Sequence, residues 1–211
     1  MGRTKSILLA AVAAAAFAIP ANATLTVNNI GAASDIASNN DFKGDLNALG
    51  LFRQAVGGYT ISVTGAPVNI SVYYAGSESA LDNFVMVGGN SFGENDTGWH
   101  IGNLLVTYQQ ASDGPLTGSI NFWNVFEAGE ALGSSQVALF IPQLLTSNSY
   151  SADDLYFGFN DTGSPDSDFD DYIIRISSSP VPEPTTWAMM IMGLGLVGAG
   201  LRRRRTTVSF V

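Results

Sequence analysis

Five aspartates crowd into one run of twelve residues, Asn160-Asp161-Thr162-Gly163-Ser164-Pro165-Asp166-Ser167-Asp168-Phe169-Asp170-Asp171. Hard cations such as Ca2+ take about six to eight oxygen ligands, and clustered carboxylates with neighbouring carbonyls supply them. Asp166, Asp168 and Asp170 alternate, so an extended loop would set all three on one side. Without a cation, charges of one sign held so close cost stability. Asp161, Asp166, Asp168, Asp170 and Asp171 are therefore candidate calcium ligands. The run is not an EF-hand: counting from Asp166, Asp171 stands where that loop needs Gly and Ser177 where it needs Glu. A solvated acidic hairpin loop is the other reading of the same residues, and Asp153 and Asp154 add charge upstream.

The only histidine, His100, lies in Glu94-Asn95-Asp96-Thr97-Gly98-Trp99-His100. A histidine beside an acid can polarise a serine, as hydrolases require. No Gly-x-Ser-x-Gly elbow supports that use, so a hairpin-loop histidine is the expectation. Trp99, which looks exposed, and Trp123 could stack on a sugar ring. Beside Phe122, however, Trp123 reads as core. Cysteine is absent, which excludes disulfides, thiolate catalysis and Cys-based zinc sites. Asn95-Asp96-Thr97 and Asn160-Asp161-Thr162 fit the N-glycosylation pattern.

Charge narrows the partners. Between Thr24 and Pro180 the basic residues are Lys43, Arg53 and Arg175; these three against seventeen acids leave a formal charge of −14. Such a body repels nucleic acid and anionic lipid, and attracts divalent cations or basic partners. Acidity of this kind also serves solubility alone.

Both ends read as addresses. Arg3 and Lys5 precede an apolar run from Ile7 to Ile19, followed by Pro20 and Ala21-Asn22-Ala23. Basic flank, short apolar core and small residues in this order make a secretory signal, with cleavage expected between Ala23 and Thr24. At the other end, Val-Pro-Glu-Pro-Thr-Thr-Trp-Ala runs from Val181 to Ala188. An uncharged run from Thr185 to Leu201 follows, then Arg202, Arg203, Arg204 and Arg205. As a helix that run is about 26 Å long, just adequate for a thin membrane. Trp187 would anchor it at the outer interface and the arginines would stay in the cytoplasm. Gly193, Gly195 and Gly198 spell G-x-G-x-x-G, but without a preceding strand and a later acid the pattern is no dinucleotide site. They suit close helix packing.

Pro182-Glu183-Pro184, Trp187-Ala188, the glycine-bearing helix and the arginines together resemble the PEP-CTERM sorting signal in its Pro-Glu-Pro-x-x-Trp-Ala variety. The resemblance covers about an eighth of the chain, from Val181 to Arg205, and six residues follow it. It implies a Gram-negative bacterium, export by Sec-type machinery, transient inner-membrane anchoring with the body in the periplasm, and processing by an exosortase, a membrane-embedded cysteine protease/transpeptidase. It places the processing site at Pro182, Glu183 and Pro184. Secreted bacterial β-proteins with this tail also carry a similar acidic loop late in the body. Two prolines hold the backbone of the tripeptide extended, and Ser177-Ser178-Ser179-Pro180 reads as an accessible linker before it.

The elements that must position the aspartates are short and β-rich. Strands are expected at Thr24–Val27, Tyr59–Val63, Val68–Tyr74, Phe84–Val87, Leu104–Tyr108, Ser119–Val125, Gln136–Ile141, Leu155–Phe159 and Tyr172–Ile176. Val68, Ile70, Val72 and Tyr74 alternate with Asn69, Ser71 and Tyr73. Gly65-Ala66-Pro67, Gly88-Gly89-Asn90 and Asp113-Gly114-Pro115 are turn signals between such runs. Asp45–Arg53 suits either a short helix or an irregular loop. The expected fold is all-β, a single jelly-roll-like β-sandwich of eight or nine strands. Its parts are a signal peptide at 1–23, a body at 24–176, a linker at 177–184, a transmembrane helix at 185–201 and a cytoplasmic basic tail at 202–211. The function expected is that of an exported, non-enzymatic protein of the cell surface or an exopolysaccharide matrix, with calcium in the body. A surface carbohydrate-binding module and, behind it, a secreted hydrolase are the alternatives.

Overall fold

The computed structural model describes residues 22–31, 33–78, 81–94, 99–100, 102–124, 129–142, 148–161, 166–181 and 184–202. The chain divides into two compact units, Ala21–Val181 and a second unit made of Met1–Pro20 with Pro182–Val211. Residues 1–21, where most of the expected signal peptide falls, lie outside the described residues.

The larger unit is all-β, and fourteen strands are seen among its described residues. In chain order they are β1 (Thr24–Asn28), β2 (Leu51–Val56), β3 (Thr60–Thr64), β4 (Val68–Gly76), β5 (Phe84–Val87), β6 (Asn90–Gly93) and β7 (Asn103–Gln110). Then come β8 (Gly114–Pro115), β9 (Ile120–Trp123), β10 (Glu130–Ala131), β11 (Val137–Pro142), β12 (Ser149–Ala152), β13 (Asp154–Phe159) and β14 (Tyr172–Pro180). They form a six-stranded sheet in the order β2-β11-β13-β14-β4-β7 and two four-stranded sheets, β12-β1-β3-β8 and β10-β9-β5-β6. The described pairings are antiparallel.

All nine expected strands are present. Strands β2, β6, β8, β10 and β12 add to them. The last four are two to four residues long, too short for alternation to register as a pattern. The ambiguous stretch Asp45–Arg53 begins in a helix and, past a turn, ends in a strand that neither reading included. Lys43–Ala48 is a one-and-a-half-turn helix, α1, and Gly50 with φ +72° turns the chain into β2.

Alternation explains the main core. Val68, Ile70, Val72 and Tyr74 of β4 are all at most 1% exposed, facing Leu25 and Val27 of β1, Val85 and Val87 of β5, and Phe122 of β9 in one cluster. One face of the six-stranded sheet thus shares a core with both smaller sheets. Its middle strands are buried on the other face too. Leu155, Phe157 and Phe159 of β13 enter the main core, whereas Tyr156 joins Phe140 of β11 and Ile173 of β14 in a second cluster. Ile36, Phe42 and Leu46 from the segment around α1 cover that second face, and Phe169 of the acidic run closes it. Strands β13 and β14 read as continuous apolar runs for this reason.

Tyr108 in edge strand β7 donates its hydroxyl to the Thr117 carbonyl at 2.5 Å, linking that edge to the chain entering β9. Burial pushes its pKa up to about 12. Tyr108→Phe should therefore cost about 1 kcal/mol, the usual net worth of one hydrogen bond. Urea unfolding of the parent and variant measures it, and an unchanged midpoint would contradict the assignment.

The linker expected from Ser177 is not a linker. Ser177, Ser178, Ser179 and Pro180 continue β14, with Pro180 opposite Val68 and the Val181 N–H donating to the Pro67 carbonyl. Small polar residues were a poor guide here because β4 offers them a complete ladder, and Ser178 is buried.

In the other unit, α2 runs from Pro184 to Arg202. Pro184 opens it at a position where proline's missing N–H costs nothing. The expectation of a transmembrane helix at 185–201 is corrected: among the described residues no helix is long and apolar enough to cross a membrane. Thr185, Thr186 and Trp187 dilute its first turn, and Gly193, Gly195 and Gly198 dilute the rest. The apolar stretch from Ala188 to Leu201 is only about 21 Å as a helix, against a hydrocarbon core of about 30 Å.

Candidate functional site

The acidic run lies between β13 and β14, where the α1 segment meets the second face of the large sheet. Of the five aspartates, Asp161, Asp168, Asp170 and Asp171 are each at most 5% exposed. Asp166 alone is on the surface. The expectation of one extended acidic face is therefore corrected. Ser167 and Phe169 have φ of +55° and +62°, so left-handed residues break the extended path between the aspartates. Those breaks send Phe169 into the second core, with the Arg53 guanidinium 5.5 Å above its ring. Among the described residues of the run, Asp166 and Ser167 are solvated and the other four aspartates are not.

The buried acids fall into two groups. In the first, Asp168 Oδ2 accepts from Asn39 Nδ2 at 2.9 Å and the Asp168 carbonyl from Asn40 Nδ2 at 2.8 Å. Asp170 Oδ2 accepts the Asp41 N–H at 2.6 Å. Burial raises the pKa of both carboxyls, and a hydrogen bond between them raises Asp170 further while lowering Asp168. In the second group, Asn83, just before β5, donates from Nδ2 to Asp161 Oδ2 at 3.2 Å and to the Asp171 carbonyl at 3.5 Å. Asp171 Oδ2 accepts the Asp161 N–H at 2.8 Å, and Asn160 Nδ2 reaches the Asp161 carbonyl at 3.4 Å. Burial, with the negative charges of Asp161, Asp168 and Asp166 behind it, pushes Asp171 up to about 7.

No basic side chain is among the causes that shift Asp168, Asp170 and Asp171. Lys43 instead donates to the Ile36 carbonyl and Arg53 to the Ser167 carbonyl. Among the described residues no three histidine, cysteine, aspartate or glutamate side chains converge as a metal-holding group. Each acidic group pairs two carboxylates with amide side chains. Asn39, Asn40 and Asn83 were missed in the sequence because they lie 129, 128 and 78 residues from their aspartate partners. The polar run Ser38-Asn39-Asn40-Asp41 was the available signal.

The other candidates have structural uses. His100 donates its backbone N–H to the Ala75 carbonyl and stacks its ring on Tyr74 at 6.1 Å. Trp99, expected to be exposed, is half-buried and packs against Phe42 at 5.7 Å and Tyr156 at 6.2 Å. Trp123 is not core: it points away from Phe122's face of β9 and stacks on Phe84 at 6.4 Å. Residues 95–98 lie outside the described residues.

At the ends, Ala23 is buried and Thr24 begins β1, opposite Thr64. Ala21, Pro182, Glu183 and Arg203 to Arg205 lie outside the described residues. Trp187 and Ala188 are exposed on α2, which ends at Arg202. Residues 180–205 match the PEP-CTERM protein-sorting motif. The chain therefore carries a PEP-CTERM sorting signal, as its motif, helix and arginines led us to expect. No curated protein and no solved structure matches the chain.

Proposed function

We propose that this is an exported, non-enzymatic protein of a Gram-negative bacterium, delivered to the cell surface or an exopolysaccharide matrix through exosortase processing of its tail. The observation that carries the reading is the sorting motif at 180–205, which begins at the last residue of β14. Strand β14 ends at Pro180 and the Val181 N–H closes its ladder on Pro67, so a cut at Pro182, Glu183 or Pro184 removes no strand. The Sec-type signal is cut between Ala23 and Thr24, at the first residue of β1. The apolar helix and its arginines associate with the inner membrane only during sorting, while the body waits in the periplasm.

The body is a β-sandwich, with the six-stranded sheet as one layer and the two four-stranded sheets as the other. It is stabilised by calcium at its acidic run. What supports calcium is the burial of four aspartates, three of which have their pKa raised by burial with no basic side chain among the causes.

Sorting is tested in a host with an active exosortase. The parent chain should yield a shorter mature form, and Glu183→Ala should leave the precursor at full length. Deleting the exosortase should have the same effect on the parent. A mature form that persists in both cases would overturn the reading.

A further inference from the structure

The sorting motif follows directly on backbone that the sheet still holds. Ser177, Ser178, Ser179 and Pro180 pair with Ser71, Ile70, Asn69 and Val68 of β4, and the Val181 N–H donates to the Pro67 carbonyl at 3.1 Å. Only Pro182 and Glu183 lie between that bond and Pro184, the first residue of α2. An enzyme that cuts a peptide bond takes the flanking residues as an extended segment and hydrogen-bonds their backbone itself. For a cut at Pro182, Glu183 or Pro184, the residues next to it on the amino side include Pro180 and Val181. Backbone paired in a sheet reaches such an enzyme only by local opening, and the rate of cutting then follows the open population.

This end is the part of β14 most weakly held. Strand β13 accompanies β14 from Tyr172 to Ser177, and past Ser177 that side contributes the bond from the Ser178 N–H to the Asp153 carbonyl at 2.8 Å. Ser179 and Pro180 are exposed, and proline has no N–H to give the ladder. Ser178 is buried, but its hydroxyl has no hydrogen-bond partner among the described residues. Two residues earlier the hold is different, because Ile174 and Ile176 are fully buried in the main core. Peeling the strand back to Ser178 gives up a few hydrogen bonds, whereas peeling past Ile176 would break the core.

We propose that residues 178–181 are a latch on the sorting site, and that their opening away from β4 admits the processing enzyme. This rests on exosortase processing of the tail and adds what governs its rate. A folded body is cut only as often as the latch opens.

Pulse-chase of the full chain in a host with an active exosortase tests the latch. Inserting Gly-Ser-Gly-Ser between Val181 and Pro182, beyond the last ladder bond, leaves the body intact and supplies a free segment. The mature form should then appear about tenfold faster or more, because a latch of about two or three net hydrogen bonds stays closed most of the time. An equal or lower rate overturns the latch. Asn69→Cys with Ser179→Cys faces two thiols across the β4–β14 pair in a chain without other cysteines, at a spacing of about 5.5 Å between Cα atoms that a disulfide accepts. Oxidised in the periplasm, this pair should be cut at least about tenfold more slowly than the same pair kept reduced. Cutting of the oxidised form at the reduced form's rate also overturns the latch. No mature form from either the parent or the spacer variant would overturn the sorting reading itself.

Discussion

Gly158→Val should prevent the body from folding, and even Gly158→Ala should cost about 3 kcal/mol or more. Gly158 lies in β13 between Phe157 and Phe159, both fully buried in the main core. Its own face is turned to the second core. A Cβ there would collide with the Phe169 carbonyl oxygen and stand 2.7 Å from the Phe140 ring. The ring could shift; the carbonyl could not. Phe169 is fixed by its own burial and by its left-handed backbone, with Asp168 and Asp170 bonded to Asn39, Asn40 and Asp41 on either side. Overpacking in cores usually costs about 1–3 kcal/mol, and a backbone obstacle puts this case at the upper end or beyond. Valine adds two more carbons to the same collision. Circular dichroism of the exported body would show lost β-structure in the valine variant and a lower urea midpoint in the alanine variant. Parent-like unfolding of Gly158→Ala would mean that the acidic run does not lie on β13 as described.

That contact shows what the sequence could and could not convey. Alternation located β4 and the apolar runs of β11, β13 and β14, because burial on one or both faces leaves a local record. The polar strands β6 and β12 leave none, since Asn90–Gly93 and Ser149–Ala152 are ordered by their partners. The acidic run was legible as chemistry, but its conformation was not. Alternating aspartates imply a straight path only if every intervening residue is extended, and Ser167 and Phe169 are not. Nor could spacing reveal that Asn83 and Asn40 complete the two acidic groups from distant segments. The tail was legible as a motif because sorting signals are read as linear sequence. Its span was overestimated because uncharged residues were counted where apolar ones were needed.

In chelator, the body should lose stability as pH rises from about 5 to about 8, and Asp170→Asn should reduce that loss. Burial is the largest cause acting on Asp170, the hydrogen bond to Asp168 adds to it, and the Asp41 N–H opposes both. Its pKa therefore stands well above the usual 3.8 in the folded chain, as does that of Asp171. A carboxyl with a raised pKa keeps its proton when folded at a pH where the unfolded chain has already released it. Its favourable contribution is full below about 4, shrinks as pH climbs and is gone above the folded value near 8. The slope for one such group is up to about 1.4 kcal/mol per pH unit within that window. Asparagine keeps an oxygen to accept the Asp41 N–H but has no charge to bury. Asp170→Asn should therefore melt roughly 3 °C or more above the parent at pH 8 in chelator, and close to it at pH 5. Calcium bound at the acidic run should narrow the difference at pH 8, because a nearby cation favours ionised carboxylates. If Asp170→Asn instead melts below the parent at both pH values, the carboxylate's acceptor geometry outweighs its burial, and uncompensated charge is not what limits the stability of this loop.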